Sequence, residues 1–168
     1  MRRFVVPVFA LCAALLAGAQ APAPTQPAAS PPIPPPFTYG TPITLEQAKK
    51  AAAGAEAEAK KRNQNMAIAV VEPTGDLVYF QKMDGAQYSA IKISQAKAVS
   101  AATFGRSTKI FRERVANGDL SPMALALAGA VASDGGVPIV VNGKTIGAIG
   151  VSGGSDDAVA QAGADALK

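Results

Sequence analysis

Gly150-Val151-Ser152-Gly153-Gly154 satisfies G-x-S-x-G between a strand-like apolar run and a helix-like segment, the setting in which a nucleophilic serine stands on a sharp turn. Such a serine needs a base, and the 168-residue chain contains no histidine. The usual triad is therefore excluded. A serine–lysine dyad through Lys97 or Lys144 would require the two groups to meet within hydrogen-bond reach, which nothing in the spacing shows. The simpler reading is a glycine-rich strand end leading into a helix cap. Asp76, Asp84, Asp119 and Asp134 are of the right type for Ca²⁺ or Mg²⁺, but each adjoins a glycine, as turn residues do, and no EF-hand spacing is present. Neither the Walker pattern nor G-x-G-x-x-G occurs, and Asp156 and Asp157 would oppose a phosphate at the helix they begin.

The single cysteine, Cys12, falls in an apolar run from Phe4 to Ala17 that follows Arg2 and Arg3 and ends in Ala19-Gln20-Ala21. This pattern predicts a secretory signal peptide over residues 1–21, with cleavage after Ala21, or alternatively after Ala19. The run is too short and one-sided for a membrane span, and Leu11 before Cys12 makes a poor lipid-attachment box. The exported chain, periplasmic or extracellular, would then carry neither thiol nor imidazole. That excludes disulfide staples, cysteine nucleophiles, thiolate or imidazole zinc sites and histidine acid–base catalysis. The formal net charge of +4 falls by two when Arg2 and Arg3 leave, and no basic tract remains to suggest nucleic acid or an anionic membrane.

Residues 22–40 are rich in proline and alanine, ending Pro31-Pro32-Ile33-Pro34-Pro35-Pro36, and predict an extended spacer without a core of its own. Residues 41–168 have the size of one domain. Thr44-Leu45-Glu46-Gln47 is a capping box opening a helix to about residue 62, with Glu46–Lys50, Glu56–Lys60 and Glu58–Arg62 in the favourable i, i+4 order. Strands over 66–72 and 77–83 flank Pro73-Thr74-Gly75-Asp76, a turn in which proline presets φ. Asp84-Gly85 breaks the pattern before a helix over 87–104. Ile91, Ala98, Val99 and Ala102 share one face of that helix while Ile93, Ala96 and Phe104 lie nearly opposite, which predicts burial on two sides.

Gly105 suits a helix C′ position, and Ser107 caps a short helix over 108–115 that Asn117-Gly118 ends. The apolar run 123–132 reads as a strand or a buried irregular segment, because periodicity cannot decide so short a stretch. Asn142-Gly143 supplies the two positive-φ residues of a type I′ turn, so 135–150 folds as a hairpin. Ser155 then caps a terminal helix. The order helix, two strands, two helices, about three strands, helix describes an antiparallel α+β domain and not a doubly wound sheet.

Ile43-Thr44-Leu45-Glu46-Gln47-Ala48, Lys82-Met83-Asp84-Gly85-Ala86, Lys97-Ala98, Thr103-Phe104-Gly105-Arg106-Ser107 and the run from Gly135-Gly136-Val137-Pro138 to Gly150-Val151-Ser152-Gly153-Gly154 occur in this order. Together they resemble the GlcG/HbpS-like family, also called the haem-degrading domain family, over essentially everything after the spacer. The resemblance implies a profilin-like sandwich with a five-stranded antiparallel sheet flanked by helices, and frequent homo-oligomers. It also implies a haem or other tetrapyrrole ligand. Without histidine or cysteine the iron would take methionine, tyrosine, lysine or a hydroxyl, with Met83, Tyr88, Thr103 and Met123 as candidates. Lys97 and Arg106 are candidate partners of the propionates. The site so implied comprises Met83, Asp84, Lys97, Thr103, Phe104 and Arg106. Each has a bland counterpart: core packing for Met83 and Phe104, a turn for Asp84, and a salt bridge for Lys97 and Arg106. No catalytic acid, base or nucleophile is identifiable. The leading expectation is an exported haem- or tetrapyrrole-binding protein with at most slow haem degradation. The alternatives are an enzyme on a small organic molecule, using Asp84, Lys97 and Arg106, and a structural oligomerisation module.

Overall fold

The computed structural model of the chain describes residues 38–168, so the expected signal peptide and nearly all of the spacer lie outside the described residues. The elements are β1 (Thr38–Tyr39), α1 (Leu45–Lys61), β2 (Ala67–Val71), β3 (Leu77–Lys82), α2 (Tyr88–Phe104), α3 (Thr108–Ala116), α4 (Pro122–Leu127), β4 (Gly136–Val141), β5 (Lys144–Ser152) and α5 (Asp156–Asp165). β5 is central. It pairs antiparallel with β4 on one edge and with β2 on the other, and β3 extends the sheet beyond β2. The domain is α+β as expected, but its five-stranded sheet is mixed and not purely antiparallel: β1 runs parallel to the start of β5, Thr38 opposite Lys144 and Tyr39 opposite Thr145. Two residues within the proline-rich stretch thus join the sheet. A two-residue strand carries no alternation by which a sequence could announce it.

Alternation along β2 and β5 divides the core. Ile68, Val70, Ile149 and Val151 meet the alanine face of α1 and Val159, Ala160 and Ala164 of α5. Ala69, Val71 and Ala148 meet Ala98, Ala101 and Ala102 of α2 on the other face. The registered pairs Ile68–Val151 and Ala69–Gly150 show the two faces side by side. Small residues set how closely the layers approach. A Cβ on Gly150 would collide with the Ser94 carbonyl and the Ala98 amide of α2, so that helix lies with its backbone directly on β5.

The capping box at Thr44 forms in both directions, and Ser107 accepts from the Lys109 amide. The run 123–132 departs from expectation: it opens as α4, with Ser121 accepting from the Ala124 amide and Pro122 in the first turn. Serine followed by proline at N1 is a helix start, and the short apolar run masked it. Phe111, Leu125 and Ala130 form a third cluster there, joined by Phe104 edge-on to Phe111 at 5.3 Å. Ser155 occupies the N-cap of α5 but makes no side-chain cap; Asp156 accepts from the Gly153 and Gly154 amides instead.

Candidate functional site

Where α1 ends beside β3, the chain turns through Met83-Asp84-Gly85 and leaves a cleft of about 400 Å³ lined by Glu56, Lys60, Asn65, Gln81, Lys82, Met83 and Asp84. The turn is tied down locally: the Met83 amide donates to the Met66 carbonyl at 2.9 Å, and the Ala86 amide donates to the Met83 carbonyl at 3.1 Å. Gly85 holds φ +78°, and a Cβ there would press on Asn65. Glu56 bridges the wall, bonded to Lys60 Nζ at 2.6 Å and accepting from Gln81 Nε2 at 2.7 Å. The Lys60 bond, then the Gln81 bond, hold its carboxyl below the usual carboxylate range against a smaller opposing effect of burial.

Lys82 makes no ion pair among the described residues. Its ammonium lies 5.5 Å from the centroid of the Tyr88 ring and 3.4 Å from the Met83 carbonyl. The cleft therefore offers one paired cation and one free of any carboxylate, next to an aromatic ring at the start of α2.

The six residues named from sequence fall at three places. Met83 and Asp84 share this cleft, Met83 also packing against the larger core cluster. Thr103, Phe104 and Arg106 lie at the other end of α2. The Thr103 carbonyl there accepts from the Tyr39 hydroxyl at 3.0 Å, and Arg106 Nε donates to the Phe104 carbonyl at 3.1 Å. Burial pushes the Tyr39 phenol up from its ordinary range. Lys97 is in neither group. It is fully buried, donating to Asp156 Oδ2 at 2.6 Å and to the Val151 carbonyl at 3.2 Å. Sequence alone could not separate a buried lysine from one aimed at a ligand.

The same geometry bears on the serine motif. Lys97 Nζ is engaged by Asp156 and the Val151 carbonyl, and Lys144 opens the strand that Ser152 closes, about 26 Å away at strand rise. Asp156 Oδ1 takes the amides of Gly153 and Gly154, so the glycine-rich turn already holds a carboxylate of its own chain. A second cleft of about 490 Å³ lies nearby, but its cations are committed: Arg112 to Asp134 at 2.6 Å and Lys109 to Asp157 at 3.7 Å. Among the described residues no group of three or more acidic, histidine or cysteine side chains is placed to hold a metal ion, and no helix is long and apolar enough to cross a membrane.

Missed by sequence reasoning were Lys60, Asn65, Glu56 and Gln81, which the α1–β3 packing brings to Met83. Lys82 stood next to Met83 and could have been found.

Residues 43–165 match the family model described as haem degrading protein HbpS-like. The chain belongs to the HbpS-like family. Protein GlcG of Escherichia coli strain K12 is 41% identical over 87 residues, which are 52% of this chain and 63% of GlcG, less than two thirds of that protein's length. A double mutant of HbpS from Streptomyces reticuli has the same fold as this HbpS-like chain, with a TM-score of 0.69 and 30% identity over 84% of this chain and 99% of the other. PduOC, solved as a haem complex, superposes with a TM-score of 0.70 at 22% identity over 76% and 96% of the two chains, a likeness of fold.

Proposed function

We propose that this HbpS-like protein binds haem or a related tetrapyrrole, holding the ligand's acidic edge at the Met83–Asp84 cleft. The observation that carries this reading is the Lys82 ammonium, which lines the cleft with no carboxylate partner among the described residues, beside an exposed aromatic ring. The cleft lining is polar, so it suits propionates and not the macrocycle. Lys82 would hold one carboxylate by a charge-assisted hydrogen bond, and Lys60, shared with Glu56, would support it. Asp84, also in the lining, disfavours a ligand carrying its negative charge on both sides. The description of the family and the haem complex of PduOC point the same way.

Bound haem would bring the redox and oxygen chemistry of its iron; the chain's own residues bind and orient. Asp84, Lys97 and Arg106 are not drawn together as a catalytic acid–base set, which favours binding with at most slow degradation over turnover of a small organic molecule. The reading includes export: the first 21 residues are removed and the protein works in the periplasm or outside the cell. It also includes a homo-oligomer, since Ile93, Met123 and Leu127 leave apolar surface uncovered on a single chain.

The test is haemin affinity of Lys82→Ala and of Lys60→Ala/Lys82→Ala. Losing a charge-assisted contact of about 1.5–3 kcal/mol weakens binding roughly tenfold or more. Unchanged affinity in the folded double variant would remove the propionates from this cleft.

A further inference from the structure

Among the described residues, two further clefts compare in size with the one at Met83, and they use their charges differently. Lys144 is the one charged residue lining the cleft of about 410 Å³ at the Asn142 turn. In the cleft of about 490 Å³ beside α5, Arg112 pairs with Asp134, Lys109 with Asp157 and Asp156 with Lys97. The Met83 cleft, of about 400 Å³, is unlike both: its lining includes a cation, Lys82, and an anion, Asp84, and neither has an ionic partner among the described residues.

Lys82 and Asp84 stand two residues apart where β3 runs out, near enough along the chain to pair with each other. They do not. The Lys82 ammonium lies 3.4 Å from the Met83 carbonyl and 5.5 Å from the centroid of the Tyr88 ring, while Asp84 makes no hydrogen bond or ion pair among the described residues. Asn65, in the same lining, also leaves its side-chain amide unbonded. The Glu56–Lys60 pair, closed at 2.6 Å, adds no net charge to the wall. A ligand with carboxylates alone satisfies Lys82 and leaves Asp84 unpaired.

We infer that the cleft binds the zwitterion of a small polar α-amino acid, Lys82 holding the carboxylate and Asp84 the ammonium, with the Asn65 amide available to the ligand's polar side chain. Such a ligand carries both charges on one carbon and turns two uncommitted groups into two charge-assisted hydrogen bonds. Its net charge of zero avoids the repulsion that Asp84 imposes on a purely anionic ligand. The inference goes beyond the haem reading and does not depend on it; the two ligands share Lys82 and therefore compete.

The experiment is calorimetric titration of the purified protein with L-serine, and with acetate and ethylammonium as probes bearing one charge each. L-serine is expected to bind saturably, and each single-charge probe roughly tenfold more weakly or worse. Lys82→Ala and Asp84→Asn should each weaken L-serine binding roughly tenfold or more with circular dichroism unchanged, asparagine being as suited to the turn as aspartate. Haemin separates the two roles: Lys82→Ala weakens its binding and Asp84→Asn does not. L-serine affinity that is unchanged in Asp84→Asn, or no tighter than that of acetate, overturns the inference. Absence of L-serine binding in a protein that binds haemin saturably overturns it and leaves the haem reading standing, whereas saturable L-serine binding without haemin binding supports it and overturns the haem reading alone.

Discussion

Lys97 and Asp156 join the two helical layers of the domain around the end of β5. Lys97 belongs to α2 on one face of the sheet and Asp156 to α5 on the other, and their charges meet at 2.6 Å. The lysine side chain is 2% exposed and the carboxylate 16%. Asp156 also accepts from the Gly153 and Gly154 amides, and the lysine also reaches the Val151 carbonyl, so each charge has partners beyond the other. A family-like lysine that could have been a ligand contact is a structural tie.

Removing one partner of such a pair leaves the other buried and unpaired. Lys97→Ala is therefore expected to destabilise the domain by about 3–5 kcal/mol, read as a lower urea midpoint. Haemin affinity, measured well below that midpoint, should change little, because the lysine faces Asp156 and not the Met83 cleft.

The seating of α2 on β5 makes a contrast between two glycines. Gly150→Ala would drive a methyl group into the Ser94 carbonyl and Ala98 amide and cost about 3 kcal/mol or more. Gly143→Ala meets nothing within 4 Å but keeps φ +74°, which costs about 1–2 kcal/mol. Thermal unfolding of the two variants should rank them in that order, and equal midpoints would contradict the close helix–strand contact.

Much of this fold could be read before the structure. The capping box at Thr44, the Asn142-Gly143 hairpin and the strands on either side of Pro73 declare themselves through residue types with one dominant local use. What stayed hidden depends on distance along the chain. Thr38-Tyr39 pairs in parallel with β5, and Asp156 was one of two carboxylates in a first turn until Lys97 met it from another layer. Two of the seven residues that line the cleft come from α1, more than twenty residues before Met83, and no local pattern marks Glu56 or Lys60 as its neighbours. The expected two-sided burial of α2 was half visible: Ala98 and Ala102 are buried on the sheet, while Ile93 on the outer side is 42% exposed in one chain.

That exposed isoleucine makes the oligomer testable without confusing assembly with folding. Light scattering at micromolar concentration is expected to show at least a dimer. Ile93→Glu should dissociate it and leave circular dichroism unchanged, since a lone chain keeps position 93 in water. A monomeric unaltered protein would set aside the oligomer.

Acid should loosen the α1–β3 wall through Glu56. Its carboxyl is held below the ordinary carboxylate range chiefly by Lys60 and then Gln81, so the stabilisation is full at neutral pH and is lost progressively as pH falls from the ordinary carboxylate range through the lowered value. Glu56→Gln should lower the urea midpoint at pH 7 and converge with the unaltered protein under strongly acidic conditions. A constant difference between the two at all pH values would contradict that linkage.

The central claim is that this chain binds haem at the Met83–Asp84 cleft, and an equilibrium titration of the purified protein with haemin, followed by difference absorption, tests it most directly. The account predicts a saturable change with one haem per chain, weakened roughly tenfold or more when both Lys60 and Lys82 are replaced by alanine. A linear, non-saturating response from the unaltered protein would contradict it.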